Sequence, residues 1–311
     1  MSARFGPEHL DAWRRDGGVL IEGFFTPQEV AAVHADFVKV AGRSEGGDEG
    51  KNIKREGEVG RFNPAQFAGV DAVPFDCSPA LNLIGAHPAL VAFAKEALGA
   101  EKVHLYQCQA WAKFTGDADY DQPFHCDFAN HTLVAPAEDA SLNSVTIICY
   151  FSDVSEAHGP MHYVTRPDSL TVAGPEASLD ETREGQVKLQ SALKPFEKSS
   201  AAPAGSVFPY AIDVYHRGTN MTAPGGHRFA VMACFKDATN DAIGFHAWPF
   251  HFRKPWNRIF DHATPEQLEC FGVKPPGHPY WTETTLARAH ARYPGWDLTP
   301  YRAAMKVGEP A

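Results

Sequence analysis

The sequence predicts a mainly β fold with flanking helices, its core an antiparallel sandwich or barrel. Two observations carry this expectation. From Val103 the chain breaks into short runs rich in Val, Ile, Phe and Tyr, separated by Gly, Pro and Asp, the pattern of antiparallel strands joined by turns. On either side of that stretch, helix-start and helix-stop residues punctuate the chain instead.

Taken in order, residues 7–16 read as a short helix ended by Gly17-Gly18, and Val19-Leu20-Ile21 as a strand. Thr26-Pro27-Gln28-Glu29 is a strong helix start, with Thr as N-cap, Pro in the first turn and Glu closing a capping box; the helix should run to about Val40. Residues 43–60 are Gly-rich and charged and read as a mobile loop, and residues 88–98 as a helix between Pro88 and Gly99. Candidate strands follow at 103–114, 122–128, 143–152, 160–165, 206–210, 212–217 and 227–236. Residues 166–205 are polar, mixed in charge and read as an insertion, either a lid or a surface loop. Beyond Lys236 an aromatic- and Pro-rich extension carries short helices near 264–270, 282–292 and 298–305. It would pack over the core, line a pocket mouth or support a homo-oligomer contact. The expected organisation is one domain over 1–311: helical support to residue 100, the β core at 103–236, and the extension at 237–311.

A chain of 311 residues with 44% hydrophobic and 21% charged residues is ordinary for a globular protein. The net charge of −10 and the lack of a Lys/Arg-rich run argue against nucleic acid and anionic membrane as partners. There is no apolar signal core at the N-terminus and no run approaching about 18 apolar residues. A cytoplasmic protein is expected. The six cysteines are scattered without a C-x-x-C pair and should be free thiols in the core.

The chemistry centres on Gln122-Pro123-Phe124-His125-Cys126-Asp127-Phe128. On a strand, His125 and Asp127 project to one side and can share one metal ion. The other His-x-Asp triplets, His9/Asp11 and His34/Asp36, lie in helical stretches, where the two side chains point roughly 200° apart. His216 is the best third ligand. Two His and one carboxylate on one face of an octahedral ion leave three positions open, which suits a non-haem Fe(II) that binds a co-substrate and O2. Spacing alone does not separate this from a chance pair on a surface strand.

Activating O2 at such an ion requires two further electrons, which a 2-oxo acid can give. Its distal carboxylate needs a fixed charged partner, and the planar fork of an Arg provides one. Arg228 opens the strand after the Pro224-Gly225-Gly226 turn and is the candidate, with Thr219 as an added hydroxyl donor. Arg217 follows His216 directly and should face away from the metal. On residue type alone, half of a surface salt bridge is the favoured reading of Arg228.

Several motifs together resemble the phytanoyl-CoA dioxygenase (PhyH) family. They are Trp13 to Leu20, Phe25 to Glu29, Tyr106 to Lys113, His125-Cys126-Asp127, Gly159 to Val164, and His216 to Asn220 followed by Arg228. The resemblance runs from near residue 8 to about 236. It implies a double-stranded β-helix (jelly-roll, cupin-like) core and an Fe(II)- and 2-oxoglutarate-dependent dioxygenase that hydroxylates a small-molecule substrate with O2. It implies His125, Asp127 and His216 as catalytic metal ligands, with Arg228, Thr219 and Gln107 binding 2-oxoglutarate. Lys113 stands at a frequently basic position. Two stretches depart from the family pattern: the segment after His216 is one residue longer, and Thr165 to Ser169 replaces the usual Pro-Gly-Ser-His. Family halogenases lack the carboxylate ligand, so Asp127 points away from halogenation. The alternatives are another jelly-roll metalloenzyme, such as a cupin-like isomerase or a dioxygenase using no 2-oxo acid, and a non-catalytic binding protein.

Overall fold

The computed structural model describes residues 4–51, 69–117, 119–132, 143–174, 182–244 and 254–306. Two helices open the chain, α1 (Pro7–Asp16) and α2 (Pro27–Ala41), the second with the expected Thr26/Glu29 capping box. Strand β1 (Val70–Ala72), α3 (Pro79–Leu83) and α4 (Pro88–Leu98) lead to the core. The core comprises β2 (Val103–Phe114), α5 (Phe128–His131), β3 (Ser144–Tyr150), β4 (Met161–Tyr163), α6 (Arg166–Ala173), α7 (Arg183–Leu193), β5 (Lys198–Ser199), β6 (Val207–Ala211), β7 (His216–Gly218) and β8 (His227–Asp237). The tail adds α8 (Asn257–Phe260), α9 (Pro265–Cys270), α10 (Glu283–Arg292) and α11 (Thr299–Lys306). His9/Asp11 lie on α1 and His34/Asp36 on α2, in agreement with their exclusion as chelating pairs.

The strands form two antiparallel sheets. The larger has the order β1-β2-β8-β3-β6, the smaller β5-β4-β7. Alternation along the larger sheet sorts its faces. Phe229, Val231, Ala233 and Phe235 point outward into the main core, where Phe37 of α2 stacks on Phe229 at 4.9 Å. Arg228, Ala230 and Met232 point inward and line a cavity shared with the smaller sheet. A bulge between Leu105 and Gln107 gives β2 one extra residue. Tyr106 therefore joins an inner cluster with Phe124, Cys126 and Cys234 while Gln107 keeps its place on the inner face.

Four expectations are corrected. Residues 122–128 do not form a strand: they are extended, with a single bridge between His125 and His216, and the chain turns into α5 at Phe128. The predicted strand at 212–217 is confined to 216–218, because the preceding residues make the turn that returns the chain to β7. Residues 166–205 are not a surface loop where described. They hold α6, α7 and β5, with Thr165 and Thr182 as N-caps, and Leu189 and Leu193 of α7 are buried in the inner cluster. The stretch at 19–21 makes isolated bridges at Gly18 and Ile21 to Tyr210 and Val207, not a ladder. Half of the loop expected at 43–60, residues 52–60, lies outside the described residues. All six cysteines are buried free thiols. No helix among the described residues is long and apolar enough to cross a membrane.

Candidate active site

His125 and His216 meet across the one bridge between their segments, exchanging backbone bonds of 3.0 and 2.9 Å. Side chains reinforce this short backbone pairing, which also includes a bond from the Gln122 N–H to the Gly218 carbonyl at 2.9 Å. The Gln122 amide oxygen accepts from the Gly218 N–H at 2.8 Å. On the opposite edge, the Gln190 amide of α7 accepts from the Phe124 N–H at 2.7 Å and donates to its carbonyl at 2.9 Å. These clips fix the backbone on both sides of His125.

The resulting geometry suits one ion. One donor atom each from His125, Asp127 and His216 lies within 4.8 Å of the others. The Nδ1 atoms are engaged elsewhere, His125 with the Pro123 carbonyl at 2.9 Å and His216 with the Val214 carbonyl at 3.0 Å. That leaves both Nε2 atoms facing Asp127 Oδ1, at 3.9 and 3.4 Å. Such backbone contacts set the tautomer a ligating imidazole needs. Burial, then the neighbouring His216, pushes His125 down to about 4, so it is neutral at ordinary pH. Burial would raise the Asp127 carboxyl, but the two histidines outweigh it and hold it well below the usual carboxylate range. Burial lowers His216, and the charge of Asp127 outweighs that and raises it. Two imidazoles and an ionised carboxylate with converging lone pairs fit a divalent transition metal.

The cavity encloses about 490 Å³, within the usual range for small-molecule sites. It is lined by the triad and by Gln107, Gln109, Trp111, Gln122, His131, Tyr150, Tyr210 and Arg228 among polar and aromatic residues, with Val70, Ile148, Met161, Ala230 and Met232 as apolar wall. Arg228 Nη1 donates to the Gly159 carbonyl, while its buried Nε has no hydrogen-bond partner among the described residues. Gly159 is required here. Its φ is +66°, and a Cβ would stand 2.6 Å from the Thr219 carbonyl oxygen. Lys113 pairs with Arg228 across β2 and β8. Its Nζ donates to the Thr219 carbonyl at 3.3 Å, and burial, then the Arg228 charge, pushes its ammonium down to about 8. Two adjacent half-buried cations, one with an orphaned donor, are costly unless an anion joins them. The donor set therefore fits a carboxylate-bearing co-substrate.

Of the residues singled out from sequence, the structure brings His125, Asp127, His216, Arg228 and Gln107 to one cavity. Thr219 is not among its lining residues, and its hydroxyl donates to the Pro160 carbonyl at 2.6 Å. A role at the diacid would need that bond released. Arg217 faces away, as expected, pairing with Glu197 and Asp121. His131 also lines the cavity, with its Nδ1 at 2.5 Å from the Tyr106 hydroxyl. Sequence reading missed Tyr210, Gln122 and Gln190. Tyr210 lies in a continuous apolar run, Val207 to Ala211, that marks a buried strand but not the role of its hydroxyl, and the two amides act through partners distant in the chain.

A family model described as phytanoyl-CoA dioxygenase (PhyH) matches residues 13–218. The chain belongs to this family. The match takes in all three residues of the triad and stops short of Arg228. No curated protein matches the chain. Among solved structures, the non-haem α-ketoglutarate-dependent epimerase SnoN from nogalamycin biosynthesis is 20% identical, with 75% of this chain and 80% of that one covered at a TM-score of 0.53. EctD from S. alaskensis, solved with 2-oxoglutarate and 5-hydroxyectoine, is 15% identical over 82% of this chain and 83% of its own, with a TM-score of 0.55. HygX from Streptomyces hygroscopicus, solved with nickel and 2-oxoglutarate, is 15% identical over 76% and 88%, with a TM-score of 0.51. These likenesses establish the fold: antiparallel sheets with flanking helices in the cupin-like jelly-roll arrangement.

Proposed function

We propose that this protein is an Fe(II)- and 2-oxoglutarate-dependent dioxygenase that hydroxylates an unactivated C–H of a small molecule and releases succinate and CO2. The observation that carries the reading is the His125/Asp127/His216 cluster sharing one cavity with Arg228, whose buried Nε lacks a partner among the described residues. Fe(II) held by the triad would supply, with 2-oxoglutarate and O2, an oxidant strong enough to take hydrogen from an inert carbon.

The chain's own residues do the rest. His125 and His216 would offer their Nε2 atoms to the metal, which takes the place of any proton that Asp127 favours on His216, and Asp127 contributes one negative charge. Arg228 grips the distal carboxylate of 2-oxoglutarate, and Lys113 adds a second cation beside it. Gln107 lies at the inner face to hold co-substrate or substrate by its amide. Val70, Trp111, Ile148, Met161, Ala230 and Met232 line the remaining wall and exclude water once a substrate is seated. The need for a diacid at Arg228 and Lys113 separates this reading from a cupin-like isomerase or a dioxygenase without a 2-oxo acid.

The test is incubation of the Fe(II)-loaded protein with 2-oxoglutarate, O2 and a metabolite extract. Succinate should accumulate in proportion to a product carrying one added oxygen atom. A product lacking two hydrogens, or an isomer of unchanged mass, would place the chain with desaturases, cyclases or epimerases built on the same site. No succinate above a metal-free control would contradict the oxygenase reading.

A further inference from the structure

The two oxygens of the Asp127 carboxylate have different surroundings. Oδ1 is the atom that faces both histidines. Oδ2 accepts a hydrogen bond of 2.7 Å from the Tyr210 hydroxyl. Tyr210 is fully buried on β6, and its ring lies 4.7 Å from that of His216 at 53°, so it touches two members of the triad. Its backbone is fixed on both edges, by Thr146 in the β3 ladder and by the bridge to Gly18. The hydroxyl thus approaches Oδ2 from a rigid element.

We infer that Tyr210 is a positioning residue that holds Asp127 to ligation through Oδ1 alone. This rests on the metal-site reading above. The consequence is one of coordination number. Three single-atom protein ligands leave three positions on an octahedral ion, enough for a bidentate 2-oxo acid and O2. A carboxylate free to rotate can ligate through both oxygens, and the position O2 needs is then filled. A hydrogen bond at Oδ2 removes that option and presets the Oδ1 lone pair toward the histidines. Partners of this kind commonly change metal affinity about ten- to a hundredfold when removed.

The experiment is Mn(II) titration of wild type and Tyr210→Phe, with the visible charge-transfer absorption of each protein loaded anaerobically with Fe(II) and 2-oxoglutarate. Y210F should bind Mn(II) about ten- to a hundredfold more weakly, and its absorption band should shift or broaden as the carboxylate gains freedom. A purely structural role would lower thermal stability and leave both readouts unmoved. Should Y210F not fold, the wild-type protein crystallised with Mn(II) and 2-oxoglutarate decides the matter. Ligation by Oδ1 alone, with Oδ2 still bonded to Tyr210, supports the inference, and ligation by both oxygens overturns it. Wild type that binds Mn(II) and 2-oxoglutarate while Y210F is indistinguishable from it overturns the inference alone. Wild type that binds neither overturns the metal-site reading and this assignment with it.

Discussion

Lys113 and Arg228 stand on a ladder that runs from Val103 to Phe114 against His227 to Asp237, whereas His125 and His216 are joined by a single bridge. The cationic end of the cavity is therefore positioned by regular backbone pairing. The metal end is positioned by a few backbone bonds and, beyond them, by side chains: Gln122 on Gly218, Gln190 on Phe124, Tyr210 on Asp127. A ladder fixes direction through period-two alternation and tolerates change at any one residue. A clip made by one amide or one hydroxyl places an atom accurately but depends on that residue. The ends should accordingly differ in how far damage spreads from one substitution.

The largest effect is expected at the triad itself. His216→Ala should reduce metal-dependent 2-oxoglutarate turnover by about two orders of magnitude or more, because one of three ligands is lost. Succinate formation at saturating Fe(II) reads this, and near-normal turnover would remove His216 from the site. Next comes the other end. Arg228→Ala should weaken 2-oxoglutarate binding by about a hundredfold, the scale of removing one partner of a buried charge pair, while Mn(II) affinity without co-substrate stays close to wild type. Loss of both together would mean the ends are not independent.

Leu193→Ala tests the corrected reading of residues 166–205. Truncating this fully buried side chain should cost about 2–5 kcal/mol in denaturant unfolding; a surface loop would show almost nothing. Gln190→Ala, on the same helix, should cost less in stability but weaken Mn(II) binding several-fold, since it frees the backbone beside His125. The smallest effect concerns pH. Lys113 is pushed down to about 8, so it is charged below that pH and neutral above it. Its attraction for a carboxylate is present at low pH and lost as pH rises through about 8, or somewhat above once the diacid is bound. Affinity for 2-oxoglutarate should fall a few-fold over that range, and Lys113→Met should flatten the profile.

The same division explains what was legible in the sequence. Strands β2 and β8 are long β-type runs, so their extents could be read directly, whereas the inward placement of Arg228 was a candidate that residue type alone did not decide. The His-x-Asp spacing was informative even though its segment is not a strand, because an extended backbone puts His125 and Asp127 on one side with or without a ladder. Helix α7 was hidden by its polarity. Only Leu189 and Leu193 are buried on it, and its Gln190 looks like any surface glutamine until Phe124 is brought beside it. Thr219 seemed suited to a carboxylate, yet the close approach of Gly159 directs its hydroxyl to Pro160. Contacts of that kind depend on which turn faces which, and no local pattern encodes them.

Two sites, one for a metal and one for a diacid, should be coupled in a single cavity. Calorimetric titration of the purified protein with 2-oxoglutarate, with and without Mn(II), tests that most directly. One metal and one 2-oxoglutarate per chain, with the diacid binding much more tightly when Mn(II) is present, is the result expected. Equal 2-oxoglutarate affinity with and without the metal, or no metal uptake at all, would contradict it.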